Sequence, residues 1–277
     1  MTKPDEQIAI LMATYNGAAY LREQIDSILS QSATDWHLFV HDDNSADNTA
    51  CILDEYAGQY PQKITRLHYP AQGGACRNFL SMLDTVKAPY YMFSDQDDVW
   101  LPEKVEKTFR RMKDLEAQCP DQPIIVHSDL MIVDERLHTL DTSFVRNQHI
   151  KMGAIKSFED YAATNTVTGC TMLFNQRARQ CIKKPDDKAL MHDAWICLSV
   201  AAQHGIIDFI SEPLIKYRQH DSNTLGARDM DQQTLRHKLR HIRQQMNDDI
   251  RHYREMNAVR PLSVTDFIKA KLRYKKY

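Results

Sequence analysis

Ser94-Asp95-Gln96-Asp97-Asp98-Val99-Trp100 follows Ala88-Pro89-Tyr90-Tyr91-Met92-Phe93, an aromatic and apolar run whose composition predicts a buried strand. Three carboxylates within four residues at the end of such a strand repel one another. Two like charges about 4 Å apart cost roughly 1 kcal/mol in water and several times that near a protein surface. A divalent cation relieves that repulsion, and hard carboxylate oxygens favour Mg²⁺ or Mn²⁺. The other reading is a solvated acidic turn leading into a helix that starts near Pro102.

Working outward toward the amino terminus, the same pattern recurs. Ile8-Ala9-Ile10-Leu11-Met12-Ala13 is a continuous apolar run, as expected of a strand covered on both faces, and Thr14-Tyr15-Asn16-Gly17 ends it. Leu21, Ile25, Ile28 and Leu29 then recur at helical spacing. His37–His41 reads as a second strand ending in Asp42-Asp43-Asn44-Ser45, and Asp47-Asn48 opens a helix with Ile52, Leu53 and Tyr56 on its apolar face. Ile64–Tyr69 reads as a third strand; Gly73-Gly74 leads into a helix from about Arg77 to Thr85. Strands alternating with helices predict βαβ units and a mostly parallel sheet. In such sheets ligands bind beyond the carboxyl ends of the strands, where Thr14-Tyr15-Asn16, Asp42-Asp43 and Asp95–Asp98 would converge.

Beyond the acidic turn the periodicity is weaker. Ile124–His127 and Leu130–Val133 read as two short strands around Ser128-Asp129, and residues 141–157 as a loop. Thr168–Phe174 reads as a strand followed by a helix around Ala178. His192-Asp193-Ala194-Trp195 opens a helix that runs to about Gln203, with Gly205 as its stop. Ile206–Ile210 and Leu214–Arg218 are further strands, and Gln219-His220 begins a polar loop. From about Asp231, Leu235, Leu239, Ile242, Met246, Ile250 and Tyr253 step by three or four, which predicts a long amphipathic helix. A second segment, Leu262–Tyr277, ends in a lysine-rich run.

The net charge of −2 over 277 residues implies no bulk attraction to nucleic acid, but it conceals an asymmetry. Residues 228–277 carry 13 Lys/Arg against 6 Asp/Glu, and the rest carries 22 against 31. A basic tail on an acidic body suits an anionic surface. The six cysteines form no Cys-x-x-Cys pair, which argues against a zinc site and for reduced thiols in a cytosolic setting. The amino terminus is polar and lacks the pattern of a signal peptide, and no apolar run approaches the roughly 20 residues of a membrane span. The expectation is a cytoplasmic protein, at most peripheral to the inner face of a membrane.

Taken together, Ala13-Thr14-Tyr15-Asn16, Asp42-Asp43-Asn44-Ser45-Ala46-Asp47-Asn48-Thr49 and Ser94–Trp100 resemble, in letters and spacing, the family 2 nucleotide-sugar glycosyltransferases of the GT-A fold. His192-Asp193-Ala194-Trp195 and Tyr217-Arg218-Gln219-His220 resemble later blocks of the bacterial rhamnosyltransferase-like branch. The resemblance spans about residues 7–225 and leaves the tail aside. It implies an α/β GT-A domain over 1–227, with a nucleotide-binding half over about 1–120 and an acceptor half over about 121–227, followed by a basic helical tail over 228–277.

The resemblance also implies a reaction and roles. A sugar passes from a nucleotide diphosphate to an acceptor hydroxyl by single displacement with inversion; dTDP-rhamnose is the favoured donor and UDP-sugars the alternative. The acceptor would be a lipid-linked saccharide of a bacterial surface polysaccharide such as O-antigen or capsule. Thr14, Tyr15, Asn16, Asp43, Arg77, Asp95 and Asp97 would bind the nucleotide sugar. Asp97, Asp98 and His220 would hold Mn²⁺ or Mg²⁺, with the Asp95-Gln96-Asp97 and Asp97-Asp98 registers both open. Asp193 would act as general base, with Gly169, His192 and Trp195 on the acceptor side. Each residue also has a plainer reading: Asp193 as a helix cap, Asp42-Asp43 as a cap and its solvated neighbour, Tyr15 as a core residue, Arg77 and His220 as solvated side chains.

Two other classes compete. A sugar nucleotidyltransferase would want a Gly-rich basic phosphate loop after the first strand, which Thr14-Tyr15-Asn16-Gly17 is not. A scaffold subunit acting through the tail would have no use for Asp43, Asp97 and Asp193. The tail itself reads either as a helix packed on its own domain or on a second chain, as in a homodimer, or as a contact for anionic lipid.

Overall fold

In the computed structural model, residues 7–164, 166–184, 189–220 and 251–275 are described. Strand β1 (Ile8–Thr14) is followed by α1 (Leu21–Leu29), β2 (Trp36–Asp42), α2 (Thr49–Gln59), β3 (Ile64–Arg66), α3 (Ala75–Thr85) and β4 (Tyr90–Ser94). β1 lies between β2 and β4 and pairs in parallel with both, which is why its run of apolar residues is buried on both faces. β2 pairs in parallel with β3, which is half the length expected because the chain leaves the sheet after Arg66. Tyr69, expected at the end of that strand, instead lies flat on His41 with ring centroids 3.7 Å apart.

The acidic turn leads to β5 (Val99–Trp100) and α4 (Lys104–Gln118), then β6 (Ile124–Val133), β7 (Thr139–Asp141), α5 (Phe144–Asn147), α6 (Phe158–Ala163), β8 (Met172–Asn175), α7 (Gln176–Cys181), α8 (His192–Ala202) and β9 (Ile206–Arg218). The strand order is β3-β2-β1-β4-β8-β6-β9-β5, with β7 paired to β6. The sheet is parallel from β3 to β4. Beyond β4 it becomes mixed, because β8 runs antiparallel to both neighbours and β5 antiparallel to β9.

Four segments differ from the sequence expectation. The two short strands around Ser128-Asp129 are one strand, β6, whose register against β9 shifts at that point. The buried Asp129 is accommodated because its carboxylate accepts from the Leu130 and Val145 N–H groups and the Ser143 hydroxyl. Residues 206–218 likewise form one long strand. Thr168–Phe174 is a strand only from Met172, preceded by a 3₁₀ turn over Gly169–Thr171. The loop expected over 141–157 contains α5, capped by Ser143, and a short 3₁₀ turn.

Alternation along the strands fills two cores, one on each face of the sheet. Ala9 and Leu11 of β1 face α3 and α8, whereas Ile8, Ile10 and Met12 face α1 and α4. The first core also takes in the carboxyl-terminal helices, α9 (residues 251–259) and α10 (Val264–Lys275), through Met256, Val259, Leu262 and Phe267. α10 packs on α6, whose start is fixed by a capping box between Ser157 and Asp160. The end of the tail is therefore seated on the domain, against α6. The apolar row expected from Leu235 to Ile250 lies outside the described residues.

Candidate active site

The carboxyl ends of β1, β2 and β4 open onto a cavity of about 720 Å³, closed on the far side by the turn before β8 and the start of α8. Asp43, Asp95, Asp97 and Asp193 all line it. The acidic turn and the candidate base, nearly a hundred residues apart in sequence, thus share one cleft.

At one end of the cleft the chain leaves β1 and β2 through two residues with left-handed backbone, Asn16 (φ 49°) and Asn44 (φ 67°), a conformation asparagine tolerates better than most side chains. Asn16 ties the two loops together. Its N–H donates to Ser45 Oγ (2.8 Å) and its Oδ1 accepts from Ala46 N–H (2.8 Å). Asp42 accepts from the Thr14 hydroxyl (2.9 Å) and from Ser45. Gln96 bridges the acidic turn to the first loop, accepting from Tyr15 N–H (2.8 Å) and donating to Tyr15 O (3.0 Å). Tyr15 is left 58 % exposed at the cleft margin, so it is not a core tyrosine.

Asp43 is buried, and its carboxylate accepts the backbone N–H groups of Gln72, Gly73 (3.0 Å) and Gly74 (2.8 Å). That turn needs glycine, since Gly73 and Gly74 have φ of 76° and 134°. Arg77 stands exposed on α3 and is not brought to the cavity wall; Asn78 and Phe79 of the same helix are.

The acidic turn itself divides. Asp95 and Asp97 face the cleft. Burial, together with the nearby charges of Asp97 and Asp193, pushes the Asp95 carboxyl up to about 7. His220 Nε2 sits 2.8 Å from Asp97 Oδ2, and its ring packs on Tyr20. Asp98 turns inward and is fully buried. One of its oxygens accepts from Arg218 N–H (3.2 Å), and the other has no partner among the described residues. Burial and the neighbouring carboxylates raise the Asp98 carboxyl well above the usual range. Asp95, Asp98 and Cys170 each present a ligand atom within 4.8 Å of the others. Burial first, and then the neighbouring Asp98 and Asp95 carboxylates, push the Cys170 thiol well above its ordinary range, against a thiolate role.

Two basic residues that were not singled out from the sequence as site residues hold this turn. Arg218, almost wholly buried, donates from Nε to Asp97 O (2.8 Å), pairs with Glu23 and lies over the Tyr20 ring at 4.5 Å. Lys104 is buried with its ammonium 3.7 Å from the Trp100 ring centroid, and burial lowers its pKa to about 7 despite the pull of Cys170 and Asp98. Arg218 stood inside a quoted block, but Lys104 read only as the start of a helix, and nothing in its neighbours marked a buried cation.

Across the cleft, Asp193 occupies the first turn of α8. Its Oδ2 accepts from Gly169 N–H (3.0 Å) and its Oδ1 from Ala194 N–H (2.6 Å). His192 is buried between Phe79 and Phe93, at centroid distances of 4.3 and 4.8 Å, and burial holds its pKa below that of a free imidazole. Trp195, expected on the acceptor side, is a core residue: it is 1 % exposed and donates from Nε1 to Lys183 O. The helix periodicity that places Asp193 at the cleft carries Trp195 round to the sheet.

The sequence and the fold match known proteins. The family model described as "Glycosyl transferase family 2" matches residues 9–182. The dTDP-rhamnosyl transferase RfbG of Shigella flexneri is 29 % identical over 228 residues, covering 78 % of this chain and 74 % of that protein. A UDP-Glc:alpha-D-GlcNAc-diphosphoundecaprenol beta-1,3-glucosyltransferase, WfgD of Escherichia coli, is 31 % identical over 108 residues, covering 39 % of this chain and 42 % of that one. Among solved structures, the mannosyltransferase PcManGT from Pyrobaculum calidifontis, in complex with GDP-Man and Mn²⁺, superposes with a TM-score of 0.61 at 17 % identity, covering 98 % of this chain and 69 % of that one. The fold is that of the GT-A glycosyltransferases. The chain belongs to glycosyl transferase family 2.

Proposed function

We propose that this glycosyltransferase moves a sugar from a nucleotide diphosphate to an acceptor hydroxyl with inversion, in the synthesis of a bacterial surface polysaccharide. The observation that carries the reading is the single cleft shared by Asp43, Asp95, Asp97 and Asp193. The likeness to RfbG supports dTDP-rhamnose as donor, with a UDP-sugar as the alternative, and the likeness to WfgD supports a lipid-linked acceptor.

The cleft fits a divalent cation. Carboxylates this crowded must otherwise take up protons, as the raised Asp95 shows. Asp97 and His220, with Asp95 beside them, would hold Mn²⁺ or Mg²⁺ at the cleft, while Asp98 anchors the turn from below. Such a cation, when bound, offsets the charge that gathers on the departing diphosphate. The Asp43-braced turn and the Tyr15 loop wall the nucleotide end. Asp193, held at the cleft wall by two amides, would take the proton of the attacking hydroxyl, a role that typically supplies 10²–10⁴-fold.

The carboxyl-terminal helices would bring the enzyme to the cytoplasmic face of an anionic membrane. α10 buries Phe267 and Ala270 and leaves Val264, Ile268 and Leu272 about half exposed on its other side, beside Lys269 and Lys271. No helix among the described residues is long and apolar enough to cross a membrane. Pairing of two chains through the tail is the competing use of that stripe.

A panel of dTDP-, UDP- and GDP-sugars, tested with and without Mn²⁺ for binding and for transfer to lipid-linked saccharides, tests the reading. Metal-dependent binding of one donor is expected. A protein that ignores the whole panel would end the proposal.

A further inference from the structure

Glu255 of α9 is 1 % exposed, although it belongs to the tail and not to the sheet that carries the cleft. A carboxylate that deep is costly unless its oxygens are paired, and these are. Oε1 accepts from Leu190 N–H (2.9 Å), and Oε2 stands 3.2 Å from His252 Nδ1. Leu190 lies three residues before Asp193, in the stretch 189–191 that leads into α8. That stretch has little of its own to hold it. Leu190 is 43 % exposed, Met191 offers no side-chain cap to the helix, and Ala189 O takes only a long contact from the Cys76 thiol (3.8 Å). Met191 nevertheless lines the cleft beside Asp193.

Two further ties run from the tail toward the same carboxylate. Lys183 Nζ donates to Val259 O at the end of α9, and Lys183 O accepts from Trp195 Nε1 of α8 (2.8 Å). Arg260 pairs with Glu159 of α6 (2.5 Å), the helix that precedes Gly169, and Gly169 N–H holds Asp193 Oδ2. A helix serving only as a buttress would pack an apolar side chain at the place of Glu255 at less cost. A hydrogen bond to one backbone N–H fixes a position, where packing fills a volume.

We infer that Glu255 is a positioning residue for Asp193: through Leu190 N–H it sets how the chain enters α8, and so where the carboxylate stands in the cleft. The inference rests on the reading of Asp193 as general base and extends the catalytic unit into the tail.

The test uses the full-length enzyme with its donor and a lipid-linked saccharide acceptor. Glu255→Met, as long as glutamate but without an acceptor oxygen, is expected to bind nucleotide diphosphate within about twofold of the wild type and to lose about tenfold or more in kcat, since a misplacement of about 1 Å by a distant change can cost 10²-fold. Glu255→Gln, which keeps an oxygen for Leu190 N–H, stays within about threefold of the wild type. In an Asp193→Asn enzyme, which has no base to misplace, Glu255→Met costs less than about twofold of the remaining rate. Lys183→Met, which cuts the second tie at an exposed side chain, shows the same pattern more weakly and decides the matter if Glu255→Met does not fold. Wild-type kcat in Glu255→Met, or in Lys183→Met where that is the variant read, overturns the inference alone. So does an equal loss with and without Asp193, which marks α9 as a buttress of the whole fold. Asp193→Asn that transfers at a tenth of the wild-type rate or better overturns the reading of the base with it.

Discussion

His220 Nε2 lies 2.8 Å from Asp97 Oδ2, joining the loop after the last strand of the sheet to the acidic turn after its fourth. The two side chains are only 7 % and 16 % exposed, and Arg218, two residues before His220, clamps the same turn through Asp97 O. A cation at the cleft would find a carboxylate and an imidazole already side by side. His220→Ala is expected to raise the Mn²⁺ dissociation constant by 10–100-fold, the usual effect of losing a ligand or its orienting partner, while leaving the melting temperature nearly unchanged. Asp97→Asn should do at least as much, and chelation should stop transfer by the wild type. Titration by calorimetry or by paramagnetic Mn²⁺ relaxation reads this directly. Wild-type Mn²⁺ affinity in both variants would remove the pair from the metal site.

Asp193 is held by two backbone amides at a helix start, so replacing it by asparagine preserves shape and disturbs one amide contact. Asp193→Asn should lower kcat by roughly 10²–10⁴-fold, the scale of a lost general base, and leave binding of the nucleotide diphosphate within a few-fold. Steady-state kinetics with saturating donor separates the two. Transfer at a tenth of the wild-type rate or better would assign Asp193 to capping alone.

Strands β1 and β4 were legible because each is central and reads as an apolar run, from Ile8 to Met12 and from Tyr90 to Phe93, with polar letters only where the chain leaves the sheet. The clustering of Asp43 and the Asp95–Asp98 turn follows from parallel topology alone. The part of the chain after α4 was harder. Asp129 in the middle of β6 looked like a turn, because the partners that satisfy its carboxylate, Ser143 and Val145, are brought in from another loop. Trp195 and Asp193 are two residues apart on one helix, and sequence alone gave no means of telling that one faces the core and the other the cleft. Lys104 escaped notice for the same reason: its burial near Asp98 and Cys170 depends on contacts between segments distant in the chain.

His127 on β6 is 2 % exposed beside Phe209, and burial pushes its pKa down to about 4 although Asp208 pulls the other way. In the unfolded chain the same imidazole titrates near 6.5. Between those values the unfolded state binds more protons, so falling pH favours unfolding from about 6.5 downward, and the contribution levels off below about 4. Two and a half pKa units correspond to about 3 kcal/mol. Asp95 and Asp98, raised rather than lowered, act in the opposite sense over part of that range, so the effect is read as a difference between two proteins. Denaturant melts of wild type and His127→Phe at pH 7 and pH 4.5 should show the variant gaining about 2 kcal/mol on the wild type across that interval. Parallel pH profiles would mean that the imidazole is reached by water in the folded state.

The two sides of α10 make separable predictions. Phe267 is 6 % exposed and lies against Tyr253 and His252, so Phe267→Ala should cost about 3 kcal/mol of stability and lower the melting temperature. Ile268 and Leu272 are half exposed on the opposite side, where replacement by serine touches no core contact and should leave the melting temperature within a degree or two. If the stripe meets lipid, Ile268→Ser/Leu272→Ser should weaken binding to vesicles containing anionic phospholipid by tenfold or more, and high salt should weaken binding of the wild type, since Lys269 and Lys271 supply an electrostatic share of roughly 1 kcal/mol each. Vesicle flotation and sedimentation velocity on the same samples distinguish the outcomes. A double variant that still floats with the vesicles but no longer sediments as a dimer would assign the stripe to a second copy of the chain, and one that changes in neither assay would leave α10 as a buttress for α6 and the acceptor half.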